Sequence, residues 1–422
     1  MSAPLSTAHS TAETRLMPGA WLVVGLLWFV ACLNYLDRNI VTNMRGSIVA
    51  AVPMTDAEFG LLTSAFLWVY GGLSPFAGFL ADRFRRSHVI IVSVLVWSLV
   101  TFLTAHAKTW HQLIATRALM GLSEACYLPA ALALITDYHR GSTRSFATGL
   151  HLSGLGVGAA LAGFGGYLAQ RYGWSFAFSL FGAIGIVYSL VLVFCLRDAP
   201  SLEDVPSTDT KGRFITELLE AMGSLFGRGS YYLMLGYWGM IGLAGWAVMG
   251  WMPTYFEQQF HLDQGSAGVS ATTYMQCAVL VGLVVGGLVA DRWSRIHPRG
   301  RIYAAIIGMV AAGPGVYLTA NTGSYSWAVA GLMVFGFARA FTDSNTMPIL
   351  CMVVDPRYRA TAFGVLNFFA NTIGGVTTYA GGKLRDAHIN VRYIFECGAL
   401  GMLICAVLLA FVKPPVRQPA VT

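Results

Sequence analysis

Residues 77–87 read AGFLADRFRRS and residues 286–296 read GGLVADRWSRI, the same order of small, apolar, acidic and basic residues about 210 positions apart. A second pair repeats at nearly that offset, Arg144-Ser-Phe-Ala-Thr-Gly149 and Arg359-Ala-Thr-Ala-Phe-Gly364. The chain is therefore read as a duplication of one unit of roughly 200 residues, and such duplication marks a two-bundle transporter.

The surrounding composition says in which solvent the unit folds. Of 422 residues, 56% are hydrophobic and 11% charged, against roughly 25% charged in a soluble domain. Apolar runs near 20 residues recur throughout, each long enough to cross about 30 Å of hydrocarbon as a helix. Helices are expected near 20–43, 58–81, 88–106, 110–136, 145–169, 174–196, 231–255, 266–290, 302–320, 326–353, 360–381 and 391–412. The fold class is thus an all-α polytopic membrane protein, with twelve transmembrane helices in two pseudo-symmetric six-helix bundles. The bundles are expected at 20–196 and 231–412, with tails at 1–19 and 413–422. Between them lies a linker at 197–230, whose first part, DAPSLEDVPSTDTKG, has the Pro, Ser, Thr and acidic residues of a solvated segment. Residues 1–18 lack the order of a cleavable signal, so the first helix is expected to insert uncleaved.

Charge sets the orientation and excludes other classes. With both termini cytoplasmic, 18 Lys and Arg fall on the inner side and six outside, a positive-inside pattern. A bacterial inner (plasma) membrane is the expected location. The net charge of +7 sits in short loops and not on one soluble face, so no nucleic-acid partner is expected. The seven cysteines lie in apolar segments at no metal-ligand spacing. No metal, cofactor or enzymatic grouping is expected. A phosphate-cradling G-x-x-x-x-G-K-[ST] loop is missing as well, which leaves an ion gradient as the energy source.

The informative residues are the few charges inside the membrane. CLNYLDRNIV, 32–41, places Asp37 and Arg38 side by side in helix 1. A charge at mid-helix costs roughly 2.5–3.5 kcal/mol on insertion scales, so it usually faces a wet cavity. Both should sit roughly 10 Å below the outer surface, with Arg117 of helix 4 at similar depth. Glu124 follows Arg117 by two turns on the same face, about 10 Å nearer the centre, too far for a direct pair. A ligand carboxylate gripped by forked guanidinium bonds would fill that gap. Burial favours a neutral acid and a nearby arginine favours the carboxylate, so substrate and proton can compete for the same charges. The alternative is that these charges only pair across helices to hold the bundle. Arg339 and Asp343, four apart on helix 10, read equally as a structural pair or as gate residues. Asn34, Tyr35, Asn367 and Asn371 could bond sugar hydroxyls or neighbouring helices.

Over nearly its full length the chain resembles the major facilitator superfamily. GFLADRFRR resembles that superfamily's loop between helices 2 and 3, with Arg85 where the second glycine is usual. The resemblance implies alternating access and a cytoplasmic gate at Asp82, Arg83, Asp291 and Arg292. NYLDR, the Arg117 to Glu124 spacing and the WMPTYF ending of helix 7 resemble the organic anion:proton symporters of the superfamily. Carried over, Arg38 and Arg117 become substrate contacts, with Tyr127 beside them, and Asp37 and Glu124 become proton-coupling groups. Glu124-Ala-Cys-Tyr127 and the Asp-Arg pair also resemble the Spinster-like lysolipid carriers. The expected function is proton-coupled symport of a small organic anion, a sugar acid or other carboxylate, by a protein for which a monomer suffices. Its partners are that anion, protons and the bilayer. The alternatives are an amphiphile carrier and a non-transporting ligand sensor.

Overall fold

Inside a bilayer no water can satisfy a bare peptide group, so each apolar run must close its hydrogen bonds within itself, as a helix does. The computed structural model describes residues 17–139, 143–199 and 211–412, apart from the side chains of 78–83, 145, 211–218, 356 and 360. Twelve spans follow in chain order. Spans 1 to 3 are Ala20–Asn43, Asp56–Arg83 and Arg86–Thr104. Span 4 is Trp110–Glu124 with Tyr127–Tyr138, span 5 is Arg144–Ala162 with Gly165–Tyr172, and span 6 is Trp174–Cys195. Spans 7 to 9 are Gly229–Gln259, Gln264–Ile296 and Gly300–Asn321. Spans 10 to 12 are Tyr325–Val353, Arg359–Asp386 and Arg392–Phe411. Among the described residues nine helices are long and apolar enough to cross a membrane, or ten if bent span 5 counts as one. Spans 10 and 11 complete the twelve.

Three spans are interrupted where continuous helices were expected. Span 4 breaks before Tyr127, because Pro129 has no N–H to give the carbonyl four residues back. Span 5 bends by 40° between Ala162 and Gly165. Span 8 opens through a five-residue π turn, Val269–Thr273. The expected solvated linker also holds a helix, Lys211–Phe226. Its apolar residues recur at helical spacing, and Ala221 and Leu225 are buried.

Twelve crossings put the chain's two ends on one face, here the terminal face. The two halves meet on the other. Among the described residues, every hydrogen bond between the halves lies between that opposite face and mid-depth, from Ser47–Gln264 and Asn43–Thr272 down to Trp68–Thr372. The strongest group is charged. Arg45 and Arg385 both pair with Asp56, the latter at 3.1 Å. Asp386 accepts from the Asp56 and Ala57 N–H groups at 2.8 and 3.0 Å, so span 11 caps the first turn of span 2. Arg385 also donates to Gln258 at 2.7 Å.

Asp56→Asn together with Asp386→Asn should loosen this closure. Hydrogen bonds to charged groups contribute about 1.5–3 kcal/mol each, so the closed-to-open ratio should fall at least tenfold. Spin labels at Thr55 and His388 would read this as a population at longer distance.

Candidate functional site

Two close helix approaches build the site, one onto span 1 and one onto span 2. A Cβ at Gly158 of span 5 would collide with the Cys32 carbonyl, so glycine there lets the backbones touch. On span 4, a Cβ at Gly121 would lie 2.7 Å from the Phe66 carbonyl oxygen of span 2. Gly121 lies between Arg117 and Glu124, and this contact holds both beside span 2.

Arg38 donates to Glu124 at 2.8 Å, the side chains being 5% and 0% exposed. Its guanidinium carbon lies 4.7, 4.8 and 4.5 Å from the ring centroids of Tyr35, Phe66 and Tyr70. Three π faces and one carboxylate therefore surround a single cation. Arg117 donates to the Asp37 carbonyl at 3.4 Å and rests over Phe178 at 5.4 Å. The Asp37 carboxylate accepts from the Thr101 hydroxyl at 3.3 Å. All four charged residues are buried.

The hydrogen bonding is incomplete. Asp37 Oδ1, Arg38 Nε, one Arg117 guanidinium nitrogen and Glu124 Oε1 are buried without a protein partner among the described residues. Pairs that serve only to join helices are normally saturated, because a half-satisfied polar group in a dry interior costs about 1–3 kcal/mol. Here donors and acceptors stay open in one cluster, which is how a site for a small polar ligand is built.

Arg38, Arg117, Asp37, Glu124, Tyr35 and Asn34 are thus brought together. Glu124 does not stand apart as its spacing from Arg117 suggested, since Arg38 reaches it from span 1. Tyr127 is turned elsewhere: its hydroxyl donates to the Leu27 carbonyl at 3.0 Å and its ring packs on Trp97. Asn371 bonds the Asn367 carbonyl at 2.8 Å and faces Gly71 of span 2, at the contact between the halves. Arg339 and Asp343 pair at 3.4 Å, part-exposed, and Gly245 leaves room for the guanidinium. Asp291 pairs with Arg301 of its own half at 2.6 Å, and Arg292 is exposed beside it. The side chains of Asp82 and Arg83 lie outside the described residues. Phe66, Tyr70 and Thr101 were missed, because aromatic and hydroxyl residues on an apolar helix carry no signal of the charge they will meet.

A family model described as Major Facilitator Superfamily matches residues 27–379. The chain belongs to the major facilitator superfamily. It is a multi-pass membrane transporter of that family. It is 24% identical over 392 residues to an "MFS-type efflux pump" of Mycolicibacterium smegmatis, covering 92% of this chain and 90% of that one. It is 25% identical over 415 residues to the "Probable galactarate/D-glucarate transporter GudP" of Escherichia coli, covering 90% of each. Its fold is similar to a crystal structure of a bacterial homolog of the human lysosomal transporter Spinster in an inward-facing, unoccupied conformation. That match has a TM-score of 0.74 at 20% identity and covers 94% of this chain and 95% of that one.

Removing one member of the buried pair should destabilise the protein. Glu124→Ala is expected to cost about 3–5 kcal/mol in thermal unfolding in detergent. The double variant Arg38→Met, Glu124→Leu should recover most of that stability and bind no anion.

Proposed function

We propose that the protein is a proton-coupled symporter of a small organic anion, a sugar acid or another carboxylate. The observation that carries this reading is the buried Arg38–Glu124 pair, set beside Arg117 and Asp37 with open valences on every one of them. A substrate carboxylate can take Glu124's place on Arg38 through two parallel N–H···O bonds, with Arg117 as a second donor. Glu124, released from its counterion in a dry interior, is then far less costly as a neutral acid and takes a proton. The site holds one cation and one anion on Arg38 before and after, so the charge it carries through the membrane stays constant. That balance links each carboxylate to one proton in this scheme.

Asp37, bonded by Thr101 and next to Arg117, is the second proton-coupling candidate. The closure at the face away from the termini supports an inward-facing state, with both termini cytoplasmic as the distribution of Lys and Arg implies. The likeness to a sugar-diacid carrier supports the substrate class. The aromatic ring of Tyr35, Phe66 and Tyr70 favours one other occupant, an amphiphile whose apolar part would rest on it.

In vesicles loaded with a pH-sensitive dye, hexuronates, aldonates, dicarboxylates and lysolipids can be added in turn. A soluble carboxylate should acidify the lumen, and Arg117→Ala should abolish the signal. Glu124→Gln should keep counterflow exchange and lose proton-driven accumulation. Response to lysolipids alone would instead establish the amphiphile carrier.

A further inference from the structure

The loop residue that departs from the superfamily pattern, Arg85, has a place of its own. It lines a cavity of about 580 Å³ at the terminal face, between the start of span 3 and the end of span 6, together with Arg197, His88, Ser87 and Asp198. The cavity continues toward the membrane along Ile91, Val92, Val193 and Leu196. Val92 and Val193 are 57% and 47% exposed, on helix faces turned to lipid.

Two arginines against one carboxylate leave this wall a net positive charge. Asp198 stands in the same wall, both carboxylate oxygens accepting from Ser87, the N–H at 2.9 Å and the hydroxyl at 2.8 Å. It thereby caps the first turn of span 3. Among the described residues neither Arg85 nor Arg197 forms an ion pair, whereas neighbouring Arg86 is paired with Asp137. The pocket is also held in shape. The Tyr138 hydroxyl reaches the Arg197 and Asp198 carbonyls at 3.2 Å each, and Leu196 is buried against the bundle.

We infer that this is a binding site for an anionic phospholipid. Two forked guanidiniums and an imidazole at headgroup depth match the geometry and charge of a phosphodiester. The apolar groove below them matches an acyl chain. A soluble phosphate would leave that groove uncovered, and a zwitterionic lipid would bring its own cation to the arginines. The ligand is therefore a lipid with net negative charge, bound at the outer wall of the first half and far from the Arg38–Glu124 site.

The test is native mass spectrometry of the full protein from mixed micelles of phosphatidylglycerol and phosphatidylcholine. At about 1 kcal/mol for each arginine near an anionic lipid, phosphatidylglycerol retention should fall roughly fivefold in Arg85→Gln or Arg197→Gln and roughly thirtyfold in the double variant. Arg295→Gln, at the same face of the other half, should have no effect. Val193→Trp, which fills the groove and leaves both charges, should also weaken retention. The inference is overturned if the folded double variant keeps phosphatidylglycerol as well as the parent does. Equal retention of phosphatidylcholine, or displacement by inorganic phosphate at the concentration at which the lipid itself competes, would overturn it too.

Discussion

A charge buried in a membrane protein must have its opposite within reach, and this constraint organises the molecule. Arg38 meets Glu124 at 2.8 Å in a setting where neither is solvated. Every nearby feature serves that contact. Gly121 brings span 4 against span 2, Gly158 brings span 5 against span 1, and three aromatic rings close around the guanidinium. Under the proposed function, exchanging Glu124 for a substrate carboxylate would preserve that balance.

The site and the closure divide the work between them. The opposite face is held by Asp56, Arg385 and Asp386, which join spans 2 and 11, with Arg45 paired to Asp56, while the four buried charges all lie in the first half. Movement of one half against the other can therefore break the closure without separating Arg38 from Glu124. The bend in span 5 and the π turn in span 8 meet at the same level, where Thr273 donates to the Ala160 carbonyl at 2.7 Å. Irregular helices of this kind are permitted only where protein, not lipid, covers the loosened backbone.

Much of this could be read from residue order alone. Spans of hydrophobic residues fix helices in lipid because no other structure satisfies the backbone, and the repeated ADR loops fixed the duplication. Asp37, Arg38, Arg117 and Glu124 were legible for the same reason: a costly residue retained in hydrocarbon advertises a task. What stayed hidden depends on contacts between helices. Spacing along span 4 placed Glu124 relative to Arg117 but said nothing of Arg38 approaching from span 1. Tyr127 looked like a site residue by position, yet the turn of its helix sends the hydroxyl to Leu27. Arg45 and Arg385 counted only as loop charges, although their partners on other spans make them a lock. The second half of the linker became helix because its apolar residues find the bundle, an outcome set by packing.

An anion that replaces Glu124 on Arg38 should leave the Glu124 carboxyl protonated. The most direct measurement is proton uptake on binding, followed by titrating the purified protein with D-glucarate, galactarate and a set of monocarboxylates in weakly buffered detergent solution. One proton should be taken up for each carboxylate bound at the site, and none in Glu124→Gln at unchanged stoichiometry of ligand. Anion binding with no proton uptake, or uptake that persists in Glu124→Gln, would contradict this exchange.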